Sequence, residues 1–222
     1  MTDMIDGFNY ANFGNTLHIN TQSTYKTVKW HDLVDIEVPI TPSPKIILCP
    51  RIPKPLHGVN PRSILTQIDK DWWDRTRKKV YEVSRFRCMC CGVDKEHQFG
   101  YPKYLDAHEL YQINYATGEV RLRYIVSLCH SMCHRAIHFG RWTSEYEKGN
   151  IDEKTFYSVI SYANSLCKDN NLPLKNWDTS VNDNLCYNVP WNEWHLTLVI
   201  EGEEKKFYSR FKNEKELEES YK

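Results

Sequence analysis

The sequence predicts an α+β fold, and three observations carry that expectation. Short runs of alternating apolar side chains recur near both ends and in the middle of the 222-residue chain. Segments with helical periodicity separate them, and two cysteine/histidine clusters sit between these segments. The first strand-like run is Leu33-Val-Asp-Ile-Glu-Val-Pro-Ile40. Prolines at 39, 42, 44, 50, 53, 55 and 61 then make the following stretch an extended connector across a surface, because proline removes ladder donors. Helical spacing begins near Asp69 and joins Trp72, Trp73, Arg77, Val80 and Tyr81 on a helix ending around Ser84. Tyr104 to Gln112 and Glu119 to Val126 read as strands joined by the turn Asn114-Tyr-Ala-Thr-Gly118. A helix is expected from Ser131 to Phe139 with Gly140 just past its end, and another from Ile151 to Lys168 opened by Asn150. Trp194 to Phe211 reads as a hairpin about Gly202, and the charged tail from Lys212 as a frayed helix.

Composition narrows the class. A hydrophobic fraction of 41% can supply a core, while a mean hydropathy of −0.64 argues against membrane residence. The N-terminus lacks the basic-then-apolar layout of a signal peptide, so a cytoplasmic location is expected. In that compartment eight cysteines read as metal ligands or buried thiols, not disulfides, with Cys49, Cys167 and Cys186 as buried hydrophobes. Formal net charge is zero, but residues 51–148 carry 17 Lys and Arg against 11 Asp and Glu. The densest basic patch includes Arg75, Lys78, Lys79, Arg85 and Arg87, the expected nucleic-acid contacts.

The metal-liking side chains fall in Cys88-Met-Cys-Cys91 and in Cys129-His-Ser-Met-Cys133-His134-Arg-Ala-Ile-His138, on either side of Asp106-Ala-His108-Glu109. Separated cysteine pairs are what a tetrahedral zinc needs, and a bound zinc can pin two loops together. Cys88, Cys91, Cys129 and Cys133 are the expected ligands of a structural zinc, although Cys90 and His130 leave the exact set open. His134 and His138, at i and i+4, share one helix face and offer nitrogen ligands for a second, catalytic ion, magnesium or another divalent cation. His108 is the candidate general base, with Asp106 or Glu109 ligating the ion or orienting an imidazole.

A histidine on the first of two strands, followed by a histidine pair on a helix, resembles the HNH nuclease family. The similarity is to the branch in which C-x-x-C precedes a (D/E)-x-H-E strand and an L-C…C-H-x-x-x-H helix. It covers roughly residues 50 to 170 and extends to the lead-in Pro55-Leu-His-Gly-Val-Asn-Pro-Arg and the Trp72/Trp73 helix. The resemblance implies a ββα-metal core with a structural zinc knuckle, flanking helices and a C-terminal hairpin. It implies three segments: an extended arm with short strands over 1–65, a zinc-stabilised HNH-like domain over 66–170, and a hairpin and charged tail over 171–222 packing on that domain. It further implies a metal-dependent DNA endonuclease or nickase acting on phosphodiester bonds, and it fits a phage or mobile-element origin. DNA is then the expected partner, with a protein partner for the terminal extensions. Three positions depart from the family pattern: Ala107 precedes His108, Tyr124 stands near the usual asparagine, and Cys129 and Cys133 are spaced C-x-x-x-C. These departures keep open the alternative of a catalytically impaired zinc-stabilised module that binds nucleic acid or protein.

Overall fold

The computed structural model describes residues 25–30, 34–98, 103–178 and 185–221. Residues 1–24 of the expected arm, and Leu33 at the start of its expected strand, lie outside the described residues. The fold is mixed α+β, built on a six-stranded sheet. Strands β1 (Tyr25–Trp30) and β2 (Val34–Pro39) form an antiparallel hairpin at one end. The hub is β4 (Glu119–Cys129), which pairs along its length with antiparallel β3 (Leu105–Asn114). β4 also pairs in parallel with β2 at Tyr124 and with β5 (His195–Ile200) at Glu119–Arg121. β6 (Glu203–Tyr208) closes the other end against β5. The β5–β6 loop has Glu201 at φ 54° and Gly202 at φ 82°, the pair of left-handed residues that matches strand twist in a two-residue hairpin.

Side-chain alternation gives the sheet two covered faces. Leu110, Tyr124, Val126 and Leu128 belong to one buried cluster, which also takes in Cys88, Met89 and Cys133. Ala107, Tyr111, Ile125 and Val120 belong to the other, with Leu65, Trp72, Trp194 and Leu196. A register shift between Leu110 and Tyr111 marks a bulge in the β3–β4 ladder.

The proline-rich connector is more ordered than an extended surface segment. It makes two 3-10 turns, Pro44–Leu48 and Lys54–Leu56, and then α1 (Pro61–Ile68). Pro44, Pro55 and Pro61 each occupy a first-turn position, where a missing amide hydrogen costs nothing, and Asn60 caps α1 by accepting from the Ser63 amide at 2.8 Å. The buried side chains of Ile46, Ile47, Leu56 and Val59 anchor this stretch in both cores.

Helix α2 (Trp72–Val83) starts one turn later than Asp69, and α4 (Glu153–Asp169) is capped not by Asn150 but by Asp152, which accepts from the Thr155 amide at 2.8 Å. Between them α3 (Phe139–Glu147) runs through Gly140, so that residue is helical and not a terminator. Its missing Cβ has another use, since an added carbon there would stand 3.3 Å from Arg51 Nη1. The tail is docked: α5 (Glu214–Glu219) buries Leu217, and Glu214 pairs with Lys54 at 2.7 Å. Among the described residues no helix is long and apolar enough to cross a membrane.

Gly118 closes the β3–β4 turn at φ 69°, and a Cβ there would meet Val189 Cγ1 at 3.0 Å and the Trp194 backbone at 3.3 Å. Gly118→Ala is therefore expected to cost about 2 kcal/mol from left-handed strain and crowding together. A fall of roughly 4–8 °C in Tm would register it. An unchanged Tm would show that Val189 and Trp194 yield without cost.

Candidate metal centre

Local backbone geometry assembles the thiol knuckle. At the end of α2 the Phe86 amide donates to the Tyr81 carbonyl at 2.8 Å, and Arg85 and Phe86 take left-handed φ values of 54° and 55°. That conformation costs non-glycine residues roughly 1–2 kcal/mol each, so the contacts that follow must hold the reversal. They do so through a tight loop: the Gly92 amide donates to the Cys88 carbonyl at 2.8 Å, and the Cys88 amide to Val93 at 2.9 Å. The Met89 amide donates to the Ser127 carbonyl at 2.8 Å, fastening the knuckle to β4.

β4 ends at Cys129, and the chain enters a π-helical turn, His130–His134, in which the Cys133 amide donates to Cys129 Sγ at 3.4 Å. The wider turn absorbs the C-x-x-x-C spacing, because both sulfurs still reach the same point. The Sγ atoms of Cys88, Cys91, Cys129 and Cys133 lie within 4.8 Å of one another, with Cys91 and Cys129 3.9 Å apart. Thiolates about 2.3 Å from a tetrahedral zinc stand roughly 3.8 Å apart, so these four could hold a metal such as zinc. Hydrogen bonds from the Cys129, Cys133 and Cys88 thiols hold the Cys91 thiol far below its ordinary value. Four sulfurs gathered this closely are an arrangement that a soft cation completes. Cys90 is not one of the four gathered sulfurs, although its thiol stays in hydrogen-bond reach of Cys133; its Sγ is 3.9 Å from the Pro44 carbonyl oxygen, and burial pushes its thiol up. Cys49, Cys167 and Cys186 are buried thiols, as composition suggested.

Beside the knuckle, β3 presents Asp106 and His108 to the same face. The π-turn runs into one α-helical turn, Arg135–Ile137, and the His138 amide still donates to the His134 carbonyl at 3.0 Å. Helical spacing therefore survives up to the break at His138, and both imidazoles meet His108. His108 Nδ1 is 3.1 Å from His138 Nε2, and the centroids of the three rings are 4.7–5.4 Å apart. Imidazole nitrogens about 2.0–2.1 Å from a shared ion are separated by roughly 3 Å, so the trio fits an ion. Burial, then the charges of His138 and His134, hold the His108 pKa well below its ordinary value, leaving the neutral ring that ligation needs. His138 shows an exposed edge, yet burial of its ring, with His134 and Arg141 adding positive charge, draws its pKa down to about 4.

Asp106 braces this trio from outside. Its Oδ2 is 2.6 Å from His130 Nδ1 and 2.8 Å from His134 Nδ1. Burial would raise its carboxyl, but hydrogen bonds from His130 and His134 outweigh that and hold it well below the usual carboxylate range. With Nδ1 of His134 engaged, its Nε2 is left for the trio. Tyr104 extends the chain, its hydroxyl 3.0 Å from His130 Nε2 and its ring 4.2 Å from the His130 ring. Glu109 does not join the cluster. Strand alternation turns it to the other face, where burial raises its carboxyl against the pull of the backbone and of the Arg62 and His134 charges.

The expected nucleic-acid residues are mostly occupied by carboxylates of their own segment. Arg75 pairs with Asp69, Lys78 with Asp74 at 3.3 Å, Lys79 with Glu82 at 3.3 Å and Arg87 with Asp94 at 2.7 Å. Arg85 is exposed at the left-handed end of α2. Two arginines without a role in the sequence reading lie at the imidazoles instead. Arg135 follows His134 directly and stacks its guanidinium 4.2 Å from the Trp142 ring centroid. Arg141, three residues past His138, is exposed and close enough for its charge to act on that ring. Spacing from the two histidines was the available signal, one and three residues along a helical path.

Comparison of the chain with protein-family models, curated proteins and solved structures returns no match.

Proposed function

We propose that the protein is a metal-dependent nuclease of HNH, or ββα-metal, type, hydrolysing phosphodiester bonds in DNA. One observation carries this reading: a strand histidine and two helical histidines converge, His108 Nδ1 at 3.1 Å from His138 Nε2, beside a four-thiol knuckle that joins the end of β4 to the π-turn. His108, His134 and His138 would hold the catalytic ion, so the contact distance favours His108 as a ligand over His108 as a free base. Imidazole donors favour a borderline ion such as zinc or nickel over magnesium. When bound, the ion supplies Lewis acidity toward a phosphodiester oxygen. The chain's own contribution is orientation: Asp106 sets the His134 tautomer, and His130 with Tyr104 fixes Asp106. Cys88, Cys91, Cys129 and Cys133 form the structural zinc site in this reading.

Supercoiled plasmid incubated with the purified chain tests it. Relaxed and then linear DNA is expected with zinc, nickel, manganese or magnesium added, and none after metal stripping. A zinc-stabilised binding module is the second reading, favoured by the engagement of His108 with His138, which withdraws the candidate base from proton transfer. Metal content separates the two. Two ions per chain with cleavage support the nuclease, whereas one ion, DNA binding and intact plasmid support the module.

A further inference from the structure

We propose that Arg135 and Arg141 are the phosphate clamp of the imidazole centre, gripping the nucleic-acid backbone on either side of the ion, and that the basic face of α2 is not. The inference rests on the nuclease reading of that centre. Arg135 lies at its Asp106 and Tyr104 side, where both groups act on its charge, and Arg141 lies at its His138 side. Arg135 directly follows His134 in the turn Arg135–Ile137, and Arg141 stands on α3 three residues past His138. Among the described residues, neither forms an ion pair with a carboxylate. Asp106, the carboxylate nearest Arg135 in effect, already accepts from His130 and His134.

Chemistry separates these two arginines from the α2 cations. The α2 cations share their surface with Asp69, Asp74, Glu82 and Asp94, which lowers the positive field a phosphate would meet there. Arg135 instead sits over Trp142, its Cζ 4.2 Å from the ring centroid, a contact that limits the freedom its fork loses on binding a phosphate in bidentate fashion. Arg141 is exposed beside the exposed edge of His138, where an entering strand would meet it.

The test uses the full chain and a fluorescent phosphorothioate DNA duplex, with binding measured over a range of salt. Each phosphate contact contributes about 0.9 to the slope of log affinity against log salt on duplex DNA. The Arg135→Ala/Arg141→Ala double variant is expected to bind at least about 10-fold more weakly and to lose about 1.8 from that slope. Arg75→Ala/Lys78→Ala/Lys79→Ala should stay within about 2-fold of wild type. Arg141→Ala alters an exposed side chain, while Arg135→Lys keeps the charge but not the guanidinium fork. Both should be weaker than wild type with unchanged melting and metal content. The clamp is overturned if the double variant binds as wild type, or if the loss follows the α2 triple variant. Should wild type cut plasmid while the double variant cuts equally well, only the clamp fails. Should wild type neither bind nor cut DNA, the nuclease reading fails and the clamp with it.

Discussion

Replacing Cys129 with serine is expected to empty the thiol knuckle of metal and to unfold the half of the protein built on it. Cys129 stands at the junction of β4 and the π-turn, so its sulfur ties the sheet to the helical segment that carries His134 and His138. The buried cluster that includes Cys88, Cys129 and Cys133 also includes Leu128, Ala136, Phe156 and Val159. Structural zinc contributes about 10–16 kcal/mol to small domains that depend on it, which rivals the whole stability of a typical domain at about 5–15 kcal/mol. A Tm lowered by more than about 10 °C should accompany the loss of one zinc per chain, and strong chelation of wild type should reproduce it. Acid should act in the same direction, since thiols must lose protons to bind metal and protonating the thiolates releases it. Cys90→Ala is the control. That thiol is equally buried but is not one of the four sulfurs that lie within 4.8 Å of one another, so its loss should cost about 1 kcal/mol and leave zinc in place. Zinc kept by Cys129→Ser and lost by Cys90→Ala would reassign the tetrad.

The parts of this fold that were legible in sequence are those fixed by short covalent spacing. Cys88 and Cys91 lie in one tight loop closed by the Gly92 amide, so two intervening residues suffice to bring them together. His134 and His138 remain on one face because the hydrogen bond between them is helical in length and direction. The β3–β4 and β5–β6 hairpins announce themselves through alternation and through Gly118 and Gly202. Long-range consequences were not legible. Nothing local states that β2 and β5 both pair with β4 in parallel, or that prolines 44, 55 and 61 open helical turns instead of keeping the chain extended. The C-x-x-x-C spacing looked like a departure from the four-sulfur pattern until the π-turn supplied the extra residue's worth of arc. His130 was a spare zinc ligand in sequence. In three dimensions Asp106, 24 positions earlier, draws it into the outer chain that ends on Tyr104. The basic count near α2 did not show that i,i+3 and i,i+4 carboxylates sit among those cations, because their pairing depends on the helix that brings them together.

Removing a single imidazole should separate ligands from their supports by the size of the loss. His138→Ala takes away the ring whose Nε2 stands 3.1 Å from His108 Nδ1, and His134→Ala takes away the ring that Asp106 orients. Either change is expected to lower plasmid cleavage by about 1,000-fold or more, because a divalent ion held by three nitrogens rarely survives on two. His108→Ala should do the same if its ring ligates. Asp106→Asn keeps the shape but replaces the carboxylate that receives protons from two imidazoles, and a loss of about 10–100-fold is expected from this outer position. Adding metal should partly rescue Asp106→Asn, whose ligands are misoriented but present, and should not rescue His138→Ala. The thiol zinc should remain in all four variants, since none of them touches the four sulfurs of the knuckle. If His108→Ala keeps its second ion and loses only the rate, His108 acts on the reacting water and the ligand set is His134 and His138 with Asp106. If all four variants cut as wild type does, the imidazole cluster is a structural element and catalysis does not reside there.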